Sequence, residues 1–319
     1  MIPTALPRVV YIGPKEGLQG AEAAVGGCAN IVHTEAVATE VAEALQGAVA
    51  LLDASMKVPI TDTMIAASPN LLIISCATTG SDHIERRELQ KRGIKLRTLR
   101  EDTELLRNIT PAAELTFALL LACARRLPAA VQDVREANWR RERFPGLMLN
   151  GRRLGIVGCG RIGGWVARYG QAFGMQVLGY DPFVNSLPSG VAALPLEELC
   201  ASSDVISVHV HLSDQTRGMI SADLFKRMKP GAIFLNTSRG AVVDEAALLQ
   251  GLQSGRVGGA GLDVLEGEPD VITHPLRCYA ETHDNLLITP HCGGYSPDAV
   301  QIVCRRAAEK ILDCLEPVP

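Results

Sequence analysis

Three ionisable residues each follow an apolar run that predicts a buried strand. Arg239 comes just after the run AIFLNTS, Glu268 lies a few residues beyond GAGLDV, and His291 follows NLLITP. In a doubly wound parallel sheet, ligands bind outside the carboxyl ends of the strands. If the three runs are strands of such a sheet, the three side chains lie along its ligand-binding edge.

Together these residue types suit one reaction, the transfer of a hydride between a 2-hydroxy acid and a nicotinamide cofactor. The planar guanidinium of Arg239 can bind the carboxylate of the acid. His291 can take the hydroxyl proton near neutral pH, and the carboxylate of Glu268 can orient the imidazole and favour its charged form. Taken singly, Arg239 could instead cap a helix or pair with Asp244, His291 could be an ordinary turn residue, and Glu268 a solvated one.

A dinucleotide-binding fingerprint precedes these residues in the chain. Gly158, Gly160 and Gly163 form a G-x-G-x-x-G motif between the apolar run RLGIVG and a helix-like segment over 161–173. The glycines allow a tight turn, close approach of a pyrophosphate, and close helix–strand packing. The next predicted strand ends at Asp181, about 20 residues on, where an acidic residue binds ribose hydroxyls and repels a 2′-phosphate. The motif predicts NAD rather than NADP; the alternative is a glycine-rich turn that only packs closely.

Strands that alternate with helices must position these motifs, and the alternation occurs twice. This pattern predicts two α/β halves, each with a doubly wound parallel sheet of the Rossmann or flavodoxin type. The predicted strands are RVVYIG, AVALLD, LLIISC and IKLRTL in the first half, and RLGIVG, MQVLGYD, DVISVHVHL, AIFLNTS, GAGLDV and NLLITP in the second. Helices are predicted over 34–46, 61–68, 82–92, 111–127, 161–173 and 297–315.

Composition narrows the class of protein. The 319 residues suggest about two domains, and a net charge of -4 without a basic block argues against a nucleic-acid partner. The nine cysteines are scattered without a C-x-x-C pair, which fits a reducing cytoplasm and predicts no zinc site or redox dithiol. We expect no membrane segment, because no apolar run approaches roughly 18 residues, and no signal peptide.

The chain resembles the D-isomer-specific 2-hydroxyacid dehydrogenases, which include phosphoglycerate dehydrogenases and glyoxylate and hydroxypyruvate reductases. The matching segments are LGIVGCGRIG, GYDP, MKPGAIFLNTSRGAVVDEAALLQGLQSG, GGAGLDVLEGEP and ITPHCGG, with weaker matches in TTGSDHI and NITPAAEL. They keep the family's order over about residues 75–295 and are together highly specific. The resemblance implies that Arg239 binds the substrate carboxylate and carbonyl, and that His291 is the acid–base group with Glu268 as its partner.

The resemblance also implies a substrate loop and a cofactor site. The backbone amides of Thr78, Thr79 and Gly80 are expected to hold the substrate carboxylate, and Asp263 to contact the nicotinamide carboxamide. The NAD site predicted in this way comprises Gly158, Gly160, Arg161, Ile162, Gly163, Asp181, His209, Thr237 and Asp263.

A discontinuous architecture follows from the same resemblance. It implies a substrate domain of residues 1–106 and 291–319, with an NAD-binding domain of residues 107–290 inserted into it. The cleft between the domains is expected to close on substrate and exclude water from hydride transfer. Family members are commonly dimers joined through the nucleotide domain, so a cytoplasmic homodimer acting on a small 2-hydroxy or 2-oxo acid is expected.

Some positions depart from the family pattern. His211 stands where a proline is usual, and it shares a strand face with His209; no third ligand is evident, so no metal is predicted. Asp53 occupies a position at which phosphoglycerate dehydrogenases carry an arginine, and it would repel a phosphate. Two alternatives stay open, a phosphite-type dehydrogenase and a nucleotide-sensing binding protein like the corepressors of this fold. Glu268 argues against the related formate type, which lacks that glutamate.

Overall fold

The chain forms two structural units, one inserted into the other. The computed structural model describes residues 6–315. Unit 1 combines Met1–Ile109 with Tyr295–Pro319, and unit 2 is Thr110–Gly294. The predicted insertion of one α/β domain into another is therefore confirmed.

The strands run in chain order through both units. They are β1 (Arg8–Ile12), β2 (Asn30–Thr34), β3 (Ala50–Asp53), β4 (Ile73–Cys76), β5 (Lys95–Arg97), β6 (Arg153–Val157), β7 (Gln176–Tyr180), β8 (Ala192–Ala193), β9 (Val205–Val208), β10 (Ala232–Asn236), β11 (Val257–Leu262) and β12 (Leu286–Ile288). The first five belong to unit 1 and the other seven to unit 2.

Helices connect most of these strands. They are α1 (Lys15–Val25), α2 (Ala38–Leu45), α3 (Asp62–Ala66), α4 (Arg87–Arg92), α5 (Thr103–Leu106), α6 (Pro111–Ala124), α7 (Leu127–Arg135), α8 (Arg161–Ala172), α9 (Leu196–Ser202), α10 (Ala222–Arg227), α11 (Glu245–Gln253), α12 (Pro275–Ala280) and α13 (Pro297–Leu315). Short 3-10 turns cover Arg141–Arg143 and Gly240–Val242. Most of the observed strands are one to three residues shorter at one end or both than the apolar runs that predict them.

The sheet of unit 1 is parallel throughout, with strand order β2-β1-β3-β4-β5. This is the flavodoxin-like order. Every residue of β3 and β4 is buried, as expected for parallel strands covered on both faces. One face packs on α2, α3 and α4, and the other on α1 and α13.

Three elements of unit 1 were not predicted from the sequence, namely β2, α1 and the short helix α5. The strand β2 lies at the sheet edge and is only partly buried, so its sequence NIVHT carries no apolar run. The helix α1 contains Gly17 and Gly20, which lower helix propensity. A Cβ at Gly20 would collide with the carbonyl oxygen of Gln301 on α13, so close packing of the two helices requires glycine there.

The sheet of unit 2 is also parallel, with strand order β12-β11-β10-β9-β6-β7-β8. The six strands from β11 to β8 follow the Rossmann order. The direction of winding reverses between β6 and β9. Large apolar clusters fill both faces of this sheet. The missed strand β8 is two exposed alanines at the other edge, too short to give a pattern.

One helical stretch among the described residues, Thr103–Ala124, is long and apolar enough to pass a composition test for membrane spans. No such stretch was expected from the sequence. Within it, α6 contacts β10 and β11 and buries Phe117 and Leu120 in the core of unit 2. Its apolar character is accounted for by this packing.

An ion network ties α13 to the N-terminus of α5 within unit 1. Asp102 pairs with Arg306 at 2.7 Å and also with Lys310, which donates to the Thr98 carbonyl at 2.6 Å. The side chains of Asp102 and Lys310 are each 10% exposed. Burial alone would raise the pKa of Asp102, but the hydrogen bonds from Lys310 and Arg306 outweigh burial and lower it.

We expect Asp102→Asn to destabilise the protein by about 3 kcal/mol at neutral pH, because it leaves the buried Lys310 charge uncompensated. A carboxyl group with a lowered folded-state pKa stabilises the fold above its unfolded-state pKa and loses that effect as the pH falls through the folded-state value. Urea unfolding at several pH values measures both effects. Glu104→Gln, in the exposed pair with Arg107, is the control and should change little. Equal stability of Asp102→Asn and the wild type at pH 7 would contradict the expectation.

Candidate active site

The fingerprint glycines adopt the geometry that a dinucleotide site requires. Gly158 follows β6 with φ of 91°, and a Cβ there would lie 2.6 Å from the His209 carbonyl oxygen. A Cβ at Gly163 would collide with the Gly158 carbonyl, so this glycine sets the helix–strand packing. Gly160 precedes Arg161, the first residue of α8, and apart from its two chain neighbours no described residue has an atom within 4 Å of its Cβ position. The open backbone at the start of this helix fits a bound pyrophosphate.

Asp181 follows β7 and holds the glycine loop. Its Oδ2 accepts from the Cys159 amide at 2.8 Å, and its Oδ1 accepts from the Phe183 amide at 2.9 Å. A cavity of about 450 Å³ adjoins it, lined by residues 179–182, 184–187 and 193–195. Asp181 is the one predicted cofactor residue that lines this cavity, so the cavity adds no separate support for the cofactor site.

His209 and Thr237 follow β9 and β10 at the same edge of the sheet. Nε2 of His209 bonds to Ser207 at 2.7 Å, whereas its buried Nδ1 has no hydrogen-bond partner among the described residues. Burial lowers the pKa of His209 to about 3, so the ring is neutral. Thr116 donates to the Ala112 carbonyl, so the Thr237 hydroxyl must donate to Thr116 and keeps its lone pairs for other donors.

The turn after β10 fixes Arg239 at the strand end. Oδ1 of Asn236 accepts from the amide and hydroxyl of Ser238 at 3.0 and 2.7 Å, and its Nδ2 donates to the Arg239 carbonyl at 2.9 Å. Arg239 is half-buried, and its Nη1 donates to the Ser238 carbonyl at 2.7 Å. The guanidinium is therefore held close to its own turn.

Asp263, directly after β11, anchors the loop that carries His291. Its buried carboxylate accepts from Thr289 Oγ1 at 2.6 Å and from the amides of Cys292 and Gly293 at 3.0 and 2.7 Å. Its carbonyl accepts from the His291 amide at 2.9 Å. This anchoring role is additional to the predicted nicotinamide contact. Burial and then the Asp263 charge raise the pKa of the Cys292 thiol, which therefore stays protonated.

These bonds explain a difference from the predicted domain boundaries. The structure divides the chain after residues 109 and 294, not after 106 and 290. Residues 291–294 belong to unit 2 because Asp263 binds their backbone, and His291 is therefore part of the inserted unit.

The predicted acid–base pair is formed within unit 2. Nδ1 of His291 lies 2.6 Å from Oε1 of Glu268, whose Oε2 accepts from the Leu265 amide at 3.2 Å. The two side chains are 34% and 29% exposed, so they remain accessible. Because Glu268 binds Nδ1 of His291, the other ring nitrogen, Nε2, is available to contact a substrate. His291 has φ of 53°, a left-handed conformation that is uncommon outside glycine but enriched in asparagine, aspartate and histidine.

The three candidate catalytic residues are linked through the chain around them. Gly240, next to Arg239, packs so closely on the Leu265–Glu266 peptide that a Cβ would collide with it. That peptide belongs to the loop that carries Glu268, which bonds to His291. The structure thus connects all three within unit 2, as their positions after parallel strands predict.

The predicted substrate loop lies in unit 1 and follows β4. Thr78 Oγ1 donates to the Gly80 carbonyl at 2.8 Å, and the Thr78 carbonyl accepts from the Leu99 amide at 2.9 Å. The amides of Thr79 and Gly80 have no acceptor within the described part of the chain. Two unfilled amides in one turn fit the binding of an anion.

Below this loop, Asp53 has an environment that the sequence analysis did not foresee. It is fully buried, with Oδ2 2.6 Å from Nε2 of His83. Its Oδ1 accepts from the amides of Ser55 and Met56 at 2.8 and 3.1 Å. Its charge is therefore shielded by local donors, which weakens the expected repulsion of a phosphate.

Comparison with known proteins agrees with this geometry. Residues 117–293 match the family described as D-isomer specific 2-hydroxyacid dehydrogenase, NAD binding domain. A glyoxylate reductase of Korarchaeum cryptofilum is 40% identical over 263 residues, which are 80% of this chain and 76% of the relative. A D-3-phosphoglycerate dehydrogenase of Archaeoglobus fulgidus is 38% identical over 259 residues, covering 80% of this chain but 47% of the relative. The chain spans about half the length of the D-3-phosphoglycerate dehydrogenases that it matches.

A solved structure with bound ligands has the same fold. The D-lactate dehydrogenase of Aquifex aeolicus, in complex with NAD and lactic acid, superposes with a TM-score of 0.80 at 29% identity over 96% of this chain and 95% of that one. The fingerprint loop, the parallel sheets and the family match confirm NAD as the cofactor. The chain belongs to the D-isomer-specific 2-hydroxyacid dehydrogenases, and unit 2 contains their NAD-binding domain.

Proposed function

We propose that the protein is an NAD-dependent dehydrogenase of small D-2-hydroxy acids, with Arg239, Glu268 and His291 as its catalytic residues. The observation that carries the proposal is the 2.6 Å contact between Glu268 and Nδ1 of His291, beside the turn that holds Arg239. Orientation of an imidazole through one nitrogen is the arrangement expected of a general acid–base group.

The proposed mechanism assigns one task to each residue. The fingerprint glycines and Asp181 would hold NAD, which would supply the acceptor for the hydride on the C2 atom of the hydroxy acid. The Arg239 guanidinium binds the substrate carboxylate and places C2 in reach. Nδ1–H of His291 donates to Glu268, so Nε2 is free to take the hydroxyl proton as the C2 hydride departs. In the reverse direction the imidazolium returns that proton to the carbonyl oxygen of the 2-oxo acid.

The substrate class is proposed from unit 1 and from the names of the relatives. The unfilled amides of Thr79 and Gly80 would bind the substrate carboxylate, so unit 1 is the proposed substrate domain. The relatives include a glyoxylate reductase, a hydroxypyruvate reductase and D-3-phosphoglycerate dehydrogenases. These names favour a short, polar 2-oxo acid, with or without a phosphate.

The test is oxidation of NADH, followed by absorbance, against glyoxylate, hydroxypyruvate, 3-phosphohydroxypyruvate, pyruvate, phenylpyruvate and 2-oxoglutarate. We expect rapid turnover of at least one acid and preference for NADH over NADPH, since Asp181 repels a 2′-phosphate. Tight NADH binding without turnover of any acid would instead support a nucleotide-sensing protein of the same fold.

We further propose a homodimer in a reducing cytoplasm, where the nine free cysteines would stay reduced. Leu127, Val131 and Val134 are exposed on one face of α7, at helical spacing. Trp139 and Met148, 87% and 72% exposed, extend this apolar segment. Exposed apolar side chains concentrated between residues 127 and 148 support a protein interface in this part of unit 2.

The dimer is expected to sediment at twice the chain mass of 34.1 kDa. Val134→Glu, which introduces a charge into the apolar face of α7, should shift the protein to the monomer. Leu72→Glu alters an equally exposed apolar residue of unit 1 and is the control. A wild-type monomer at micromolar concentration would contradict the proposal.

A further inference from the structure

Glu268 lies on a loop whose position is not set by regular structure. The loop runs from Asp263, after β11, to His274, before α12, and contains neither helix nor strand. Glu268 stands in its middle, so the place of its carboxylate depends on how the two arms of the loop are held.

The carboxylate of Glu245 contacts the loop on both sides of Glu268, at Glu266 and at His274. Oε1 of Glu245, the first residue of α11, accepts from the Glu266 amide at 3.0 Å. Its Oε2 lies 2.9 Å from Nε2 of His274. Glu245 and His274 are each only 13% exposed, and burial raises the pKa of Glu245. The contact with His274 is therefore partly shielded from water, which strengthens a hydrogen bond, whereas the contact with the Glu266 amide is exposed.

The second contact has a defined polarity. Nδ1 of His274 accepts from the Leu276 amide at 3.3 Å, which caps α12. An imidazole nitrogen that accepts carries no proton, so the proton of the neutral ring is on Nε2 and is donated to Glu245. The same ring thus caps a helix with one nitrogen and secures the loop with the other.

The first arm is also fixed by packing from the Arg239 side. Gly240 contacts the Leu265–Glu266 peptide, and Glu245 binds the same peptide five residues later. One segment, 239–245, therefore carries Arg239 and also fixes the start of the Glu268 loop.

We propose that Glu245 and His274 are positioning residues, which hold the 263–274 loop so that the Glu268 carboxylate stays on Nδ1 of His291. This inference rests on the proposed acid–base role of His291. A simpler alternative is that the pair only stabilises the N-terminus of α12, in which case its loss would lower stability without acting through Glu268.

Two variants break the contact in different ways. Glu245→Gln keeps an oxygen for the Glu266 amide but turns an NH2 group toward the Nε2–H of His274. His274→Asn keeps a side-chain acceptor for capping α12 but cannot reach Glu245. Glu266→Gln is the matched control, because the Glu266 side chain contacts Arg217 at the exposed surface and only its amide bonds to Glu245.

We expect both variants to lower kcat about tenfold, with KM changed less than twofold and NADH binding unchanged, since small misplacement of a catalytic group mainly affects the transition state. A double-mutant cycle separates positioning from stability. In a Glu268→Gln background, Glu245→Gln should reduce kcat less than twofold further. A full tenfold loss in that background, or unchanged kcat in both single variants, would overturn the proposal.

Amide hydrogen exchange provides a readout that needs no substrate. Exchange across residues 264–270 should become faster in Glu245→Gln and His274→Asn and stay as in the wild type in Glu266→Gln. Unchanged exchange in both variants would overturn the proposal. If His291→Ala leaves turnover intact, the proposed function fails. If His291→Ala loses turnover but the Glu245 and His274 variants retain full turnover and normal exchange, only the positioning inference fails.

Discussion

Replacement of His291 by alanine is expected to reduce turnover of a 2-oxo acid by about a hundredfold or more, the usual loss for a general acid–base group. The Nε2 atom of His291 would supply the proton to the developing alkoxide, and Glu268, 2.6 Å from Nδ1, cannot replace it. Steady-state kinetics with NADH, and NADH affinity by fluorescence, measure the two consequences. Affinity for NADH should stay near the wild-type value.

The backbone of His291 calls for a second variant. At φ of 53°, alanine is strained, whereas asparagine adopts this region more readily. His291→Asn should therefore lose activity as His291→Ala does but melt closer to the wild type. His283→Ala, which removes an exposed histidine stacked on Tyr279, is the control and should keep full turnover. Turnover within tenfold of the wild type in both His291 variants would show that another group is the acid.

Replacement of Arg239 by lysine is expected to lower kcat/KM for the 2-oxo acid by about a hundredfold, although the charge is kept. Lysine lacks the planar fork that binds a carboxylate with two hydrogen bonds, and loss of a charge-assisted pair of about 3 kcal/mol corresponds to this factor. The substitution should leave the fold unchanged, because the hydrogen bonds of Asn236 hold the backbone of this turn and do not involve the Arg239 side chain. Kinetics over a range of 2-oxo acid concentrations, at saturating NADH, measure the effect.

A matched control for Arg239→Lys is Arg217→Lys, because Arg217 makes an exposed ion pair with Glu266 in the same unit. We expect that control to keep the wild-type kcat/KM. An unchanged kcat/KM in Arg239→Lys would mean that the substrate carboxylate is bound elsewhere, for example by the amides of Thr79 and Gly80 alone.

The architecture was predictable because two regular features of parallel α/β sheets appear in the sequence. Buried strands give continuous apolar runs, and functional residues follow their carboxyl ends. Arg239, Glu268 and His291 are therefore recognisable as candidate functional residues without coordinates. The edge strands β2 and β8 have little buried surface and give no comparable pattern.

The supporting contacts of the site could not be predicted in this way. The bond between Glu245 and His274 joins residues 29 positions apart through a loop without periodic structure. The sequence identifies Asp263 as a polar residue after a strand, but its bonds to Cys292 and Gly293 depend on the path of a distant loop. Such contacts depend on the precise three-dimensional course of loops, which residue type and spacing do not specify.

The placement of His291 in unit 2 has an evolutionary consequence. The fingerprint glycines, Asp181, Arg239, Glu268 and His291 all lie in the uninterrupted stretch Thr110–Gly294. Unit 1, the proposed substrate domain, is assembled from the two flanking parts of the chain. Recombination outside that stretch can therefore alter the proposed substrate domain while the NAD fingerprint and the three proposed catalytic residues are inherited together as one genetic segment.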